Sequence, residues 1–187
     1  MSPAFTTARL RLDPLTPADV PAILALHGDA RVTPLLMDTV PDTPALATLF
    51  VEWANGHYAQ GYGTFAARRP GEDGLVGLFS LTPFEGTDEL ELGGKLAPSA
   101  WGRDLAVEAG AALVTHAFAT LGRESLVSAV HADNRAAAFA LARLGFTFER
   151  EGEVAGTHAR LHRLTRRAWD GQGARPLGPR EATRVQG

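Results

Sequence analysis

The chain has 187 residues, 45% of them apolar and 21% charged, the composition of one globular domain that buries roughly 70% of its unfolded surface without covalent staples. It holds no cysteine, which excludes disulfide scaffolds, thiol catalysis and thiolate metal sites. A net charge of -3 lacks the basic excess of a nucleic-acid-binding module, and of the 18 basic residues 17 are Arg, Lys95 being the exception. No apolar run is long enough to span a bilayer and Met1–Arg11 has no signal-peptide core, so a cytoplasmic protein without a membrane partner is expected.

Ala8–Leu15 predicts a first strand, with Leu10, Leu12 and Leu15 apolar and Pro14 ending it. Thr16-Pro17-Ala18-Asp19 then opens a helix that runs to His27 and stops at Gly28. Asp42 or Thr43 caps a second helix over Ala45–Tyr58, which a glycine-rich break at Gly61 and Gly63 ends. The period then changes. Thr64–Arg68, Gly74–Leu81 and Asp88–Leu96 predict three strands, and Glu89-Leu90-Glu91-Leu92 alternates strictly between carboxylate and leucine.

A long helix is expected from Arg103 to Leu121, and the strand Ser125–His131 follows it. Asp133 or Asn134 caps a short helix that Gly145 closes; Phe146 and Phe148 start a strand, and Thr157–Thr165 is the last. From Asp170 the composition reads as a tail, leaving one domain over residues 1–169. Two helices, antiparallel strands, then strand–helix–strand–helix–strand make an α+β (mixed α/β) fold. The crossover helix makes the strand before Ala97 and the strand from Ser125 parallel neighbours.

The chemistry concentrates in Leu92–Ala109: a strand, a turn of small residues and the start of a helix, whose unpaired N–H groups and positive dipole end suit phosphate. The motif Glu91-Leu92-Gly93 is followed by Pro98-Ser99-Ala100-Trp101-Gly102-Arg103-Asp104-Leu105-Ala106-Val107-Glu108-Ala109. The chain opens on Thr7-Ala8-Arg9-Leu10-Arg11-Leu12 and later carries Phe118, Asn134 and Gly145-Phe146. In this order and spacing the sequence resembles the GNAT acetyltransferase superfamily, within it the RimJ/RimL-like branch of ribosomal-protein N-terminal acetyltransferases.

The resemblance implies a mixed, mostly antiparallel sheet of about six or seven strands with a splayed parallel pair, flanked by about four helices. It implies transfer of an acetyl group from acetyl-CoA to a primary amine by direct attack in a ternary complex. The acceptor would be a protein N-terminus or a small amine, with no metal and no nucleic acid involved. Look-alikes often form homodimers, though this sequence has no interface signature. The residues the resemblance places on the cofactor are Leu96, Trp101, Gly102, Arg103, Asp104, Leu105, Ala106 and Asn134.

An amine must lose a proton before it attacks, so a base is needed. Glu91, where the family often has a carboxylate, and His131, a residue type whose unperturbed imidazole suits proton transfer, are the candidates. The plain alternatives are a solvated strand carboxylate and a structural histidine. His57 could line the acceptor side, and His116 belongs to a core helix face.

Three positions depart from the family. Asp104 stands where Gly is usual, a carboxylate beside a pyrophosphate or an ordinary helix cap. Ala137 and Leu141 replace the Ser and Tyr that donate a proton to the departing thiolate. Two other readings therefore stay open: a non-catalytic acyl-CoA-binding module, and a GNAT-shaped interaction domain that binds no CoA. Phosphate-loop, zinc-protease, serine-hydrolase and dinucleotide motifs are absent from the sequence.

Overall fold

The computed structural model describes residues 2–37, 41–84 and 86–171. Its strands are β1 (Phe5–Thr6), β2 (Arg11–Pro14), β3 (Gly63–Arg68), β4 (Leu75–Pro83), β5 (Leu90–Leu96), β6 (Ser125–His131), β7 (Thr147–Val154) and β8 (Thr157–Thr165). Four longer helices accompany them: α1 (Val20–His27), α2 (Pro44–His57), α3 (Leu105–Ala119) and α4 (Arg135–Leu144), with a short α5 (Arg166–Gly171) at the end. The strands form one 8-stranded sheet in the order β1-β2-β3-β4-β5-β6-β8-β7, antiparallel except for β5 against β6.

Local chemistry sets the element ends. The Thr43 hydroxyl accepts the Leu46 N–H and Pro44 preorganises the first turn of α2. Asn134 Oδ1 accepts the Ala137 N–H at 3.0 Å, and Gly145 at φ 91° closes α4. The sheet has eight strands rather than six or seven because β1, at two residues, is too short to carry a period. The strand expected over Ala8–Leu15 is β2 and begins at Arg11, because a turn closes over Thr7–Leu10, with the Thr7 N–H donating to the Leu10 carbonyl at 2.8 Å. Asp170, expected in a tail, lies in α5; residues 172–187 lie outside the described residues.

Leu12, Phe65, Leu81, Leu90, Leu126 and Leu164, which register and alternation put on one face of the sheet, share a buried core with Leu113, Val114 and Ala117 of α3. Gly110 lets α4 approach α3: a Cβ there would lie 2.7 Å from Leu144 Cδ1. Glu108 in the first turn of α3 accepts from the Thr7 hydroxyl at 2.7 Å, the Arg9 N–H at 2.7 Å and Arg9 Nε at 2.6 Å. The two ends of the family motif thus clamp each other. Among the described residues no helix is long and apolar enough to cross a membrane.

At the other end of the sheet, Arg163 of β8 grips Glu89 through both terminal nitrogens and Glu149 through Nε at 3.1 Å, while the Ser125 hydroxyl donates to Glu89 at 2.7 Å. The Arg163 guanidinium holds the Glu89 carboxyl below its ordinary range, against a smaller opposing effect of burial. A carboxyl depressed by folding contributes stability that is complete above its unfolded pKa and is lost as pH falls through the folded one. Glu89→Gln is therefore expected to flatten the acid limb of a melting-temperature profile below the ordinary glutamate pKa of about 4.3. An unchanged acid limb would show that this pair contributes nothing.

Candidate functional site: a strand fork beside a helix start

β5 and β6 pair only through Leu90↔Leu126 and Glu91↔Val127 and then diverge. The point of divergence has a specific chemistry. Strand alternation turns Leu92, Gly94 and Leu96 toward β6, and Val127, Ala129 and His131 toward β5. The next rung of a parallel ladder would join the Ala129 N–H to the Leu92 carbonyl. Instead the Ser128 hydroxyl donates to the Leu92 carbonyl at 2.8 Å, and the Ala129 N–H donates to Glu91 Oε1 at 2.9 Å. Two side chains take the two halves of one missing rung. Above them the N–H and C=O of Gly94 and the N–H of Leu96 face the gap. The Leu96 carbonyl accepts the Trp101 indole N–H at 2.8 Å. A Cβ at Gly94 would fall 2.5 Å from the Phe79 ring, so only glycine fits that rung.

Past β5 a single 3-10 turn, Pro98–Ala100, leads to Gly102 at φ 72° and Asp104 at φ 58°. Both are left-handed, which explains why a Gly is usual at the position of Asp104 and why Asp, one of the more tolerant L residues, can replace it. Asp104 sits at the cap of α3, yet its side chain makes no capping hydrogen bond. Its Oδ1 lies 2.7 Å from Arg143 Nη1 of α4, an ionic contact whose angle falls short of a directed hydrogen bond. The N–H groups of Leu105 and Ala106 thus keep the dipole's positive end clear of a local carboxylate cap. Beside the turn a cleft of about 660 Å³ is lined by Arg9, Arg69 and Arg103 against two carboxylates, Glu72 and Asp104. Among the described residues Arg103 has no ion-pair partner. The donor set fits a diphosphate: backbone N–H groups at a helix start and a local excess of cations.

The expected site residues fall into two groups. Leu96, Trp101, Gly102, Arg103, Asp104, Leu105 and Ala106 do converge, around the upper fork and the start of α3. Glu91 and His131 point to the same face of the sheet but not to the same place. Glu91 sits at the root of the fork beside Val127, and His131 lies four residues farther along β6, about 13 Å away along the strand. His131 Nδ1 accepts the Asp133 N–H at 3.2 Å, which leaves Nε2 to carry the proton of the neutral ring. Asn134 caps α4 and directs its amide nitrogen toward the Leu35 carbonyl at 3.5 Å, so it ties the chain after α1 to the mouth of the fork. His57 packs at a tilt between the Trp53 and Tyr62 rings at the end of α2, and His116 bonds to the Gly61 carbonyl at 2.6 Å. On α4, Ala137 and Leu141 offer no hydroxyl. Among the described residues no cluster of side chains could hold a metal.

Ser128, Arg143 and Glu108 carry the site's architecture and were given no role by the sequence. Ser128 had a signal: one polar residue in the apolar run Leu126-Val127-Ser128-Ala129-Val130, buried at 4% exposure.

The fold recurs in solved acetyltransferases. An acetyltransferase from Agrobacterium tumefaciens superposes with a TM-score of 0.74 at 27% identity, over 88% of this chain and 95% of that one. RimJ of Mycobacterium smegmatis, solved in complex with CoA-disulfide, shares the fold at a TM-score of 0.74 and 18% identity, over 88% of this chain and 87% of its own. A GCN5-related N-acetyltransferase from Brucella melitensis does so at 0.72 and 20% identity, covering 91% and 81%. Residues 9–147, from the Arg9 clamp through the fork and the turn to the start of β7, match the acetyltransferase (GNAT) domain, and the chain belongs to that family.

Proposed function

We propose that the protein is an N-acetyltransferase that moves an acetyl group from acetyl-CoA to a primary amine by direct attack in a ternary complex. The observation that carries this reading is the fork itself: an open strand edge at Gly94 and Leu96 that leads to the start of α3. Acetyl-CoA supplies the acyl group as a thioester. The chain's own part is to bind, orient and take a proton. Gly94 offers an extended arm both a donor and an acceptor. The Leu96 N–H is available to a carbonyl oxygen that gains charge. Leu105 and Ala106 present N–H groups to the diphosphate, with Arg103 beside them.

Glu91 takes the acceptor's proton, directly or through water. His131 is the alternative base, and its Nδ1 accepts the Asp133 N–H. With Ala137 and Leu141 in place of hydroxyl donors, water protonates the departing thiolate, whose pKa near 8.5 makes it a tolerable leaving group. The resemblance of the Thr7–Leu12 opening to the RimJ/RimL-like branch supports a protein N-terminus as acceptor; a small amine uses the same chemistry.

Calorimetric titration with acetyl-CoA and with CoA, followed by thiol release over a panel of N-terminal peptides and small amines, tests the reading. Micromolar binding and amine-dependent thiol release are expected. Binding without release over the panel would leave a non-catalytic acyl-CoA-binding module, the reading that Ala137 and Leu141 favour. No binding would leave an interaction domain.

A further inference from the structure

We infer that Ser128 is a positioning residue that keeps the fork open, by occupying the Leu92 carbonyl that the Ala129 N–H would otherwise take; its consequence for acetyl-CoA rests on the function proposed above. The geometry is local and complete. The hydroxyl is 2.8 Å from the Leu92 oxygen, within a strand that pairs with β8 along its whole length. The displaced Ala129 N–H is not left unpaired, because Glu91 reaches across from the neighbouring strand to accept it. Each half of the broken rung is satisfied, so opening the ladder costs no buried unpaired group. Without the hydroxyl the Leu92 carbonyl has one inexpensive remedy, which is to accept the Ala129 N–H. That rung brings the next into register, from the Gly94 N–H to the Ala129 carbonyl. The strands would then zip through the space that an extended ligand needs.

Zipping and loosening have opposite signatures. In Ser128→Ala the Gly94 amide is expected to exchange about tenfold more slowly by NMR, as one ladder bond forms. The Kd for acetyl-CoA is expected to rise about tenfold, because that bond must be broken on binding. Ser128→Thr and Ser128→Val, which differ by hydroxyl against methyl, isolate the group: Thr keeps wild-type exchange and affinity, and Val behaves as Ala. Gly94 exchange that is unchanged or faster in both Ala and Val overturns the inference, even if affinity falls, since that is plain destabilisation. Slower Gly94 exchange in a protein whose wild type binds no acetyl-CoA upholds the wedge and overturns the proposed function.

Discussion

Glu91→Gln is expected to lower amine-dependent thiol release from acetyl-CoA about a hundredfold while the Kd for acetyl-CoA changes by less than about twofold. The amide keeps an oxygen where Glu91 Oε1 now accepts the Ala129 N–H, so the root of the fork is preserved. What it loses is the ability to take a proton, which general-base catalysis values at about two to four orders of magnitude. Glu91→Ala removes both functions, and its affinity loss should exceed that of the Gln variant. Turnover in Glu91→Gln equal to wild type would remove Glu91 as the base and leave it as part of the strand junction alone. His131→Ala in the same assay is then the informative comparison, because His131 faces the same side of the sheet at the other end of the opening.

Arg143→Ala is expected to weaken acetyl-CoA binding about tenfold, and Asp104→Gly in the same chain to restore it. The argument is electrostatic. Asp104 occupies a helix-cap position, where a free carboxylate accepts helix N–H groups, and the contact with Arg143 at 2.7 Å turns it away. Two unit charges about 4 Å apart interact by about 4 kcal/mol at an effective dielectric of 20, so a released carboxylate competes strongly with a diphosphate. The neighbouring arginines reduce this, which is why a tenfold effect is set here. Asp104→Gly alone should bind at least as tightly as wild type, since glycine takes the left-handed φ of 58° without strain. Calorimetry on the four proteins decides it. A double variant no better than Arg143→Ala would show that Arg143 acts on the ligand itself rather than through Asp104.

Much of the scaffold was legible because its periods are clean. Ser125–His131 and Thr157–Thr165 were placed to the residue, and the leucines that alternate with Glu89 and Glu91 are buried. The two-residue β1 has no period to read, and the turn at Thr7–Leu10 is fixed by a hydroxyl whose partner is local but whose geometry is not written in composition. The site was legible as a motif and illegible as a mechanism. Asp104 was visible as a departure, yet its left-handed backbone and its contact with α4 depend on how two distant segments pack. Ser128 reaches the Leu92 carbonyl, and Glu91 the Ala129 N–H, only in one register of β5 against β6, and register is a property of the folded sheet.

The narrowness of the β5–β6 junction also bears on how the molecule melts. β1 to β5 form one continuous antiparallel block, and β6, β8 and β7 form another. Backbone pairing joins them at Leu90↔Leu126 and Glu91↔Val127 alone, with α3 spanning the seam. Such a sheet has two cooperative units, and the block carrying the exposed edge strand β7 is the one expected to loosen first. An extended ligand lying in the opening would act as the absent strand between the blocks. Ligation would then do more than add binding energy: it would stitch two melting units into one.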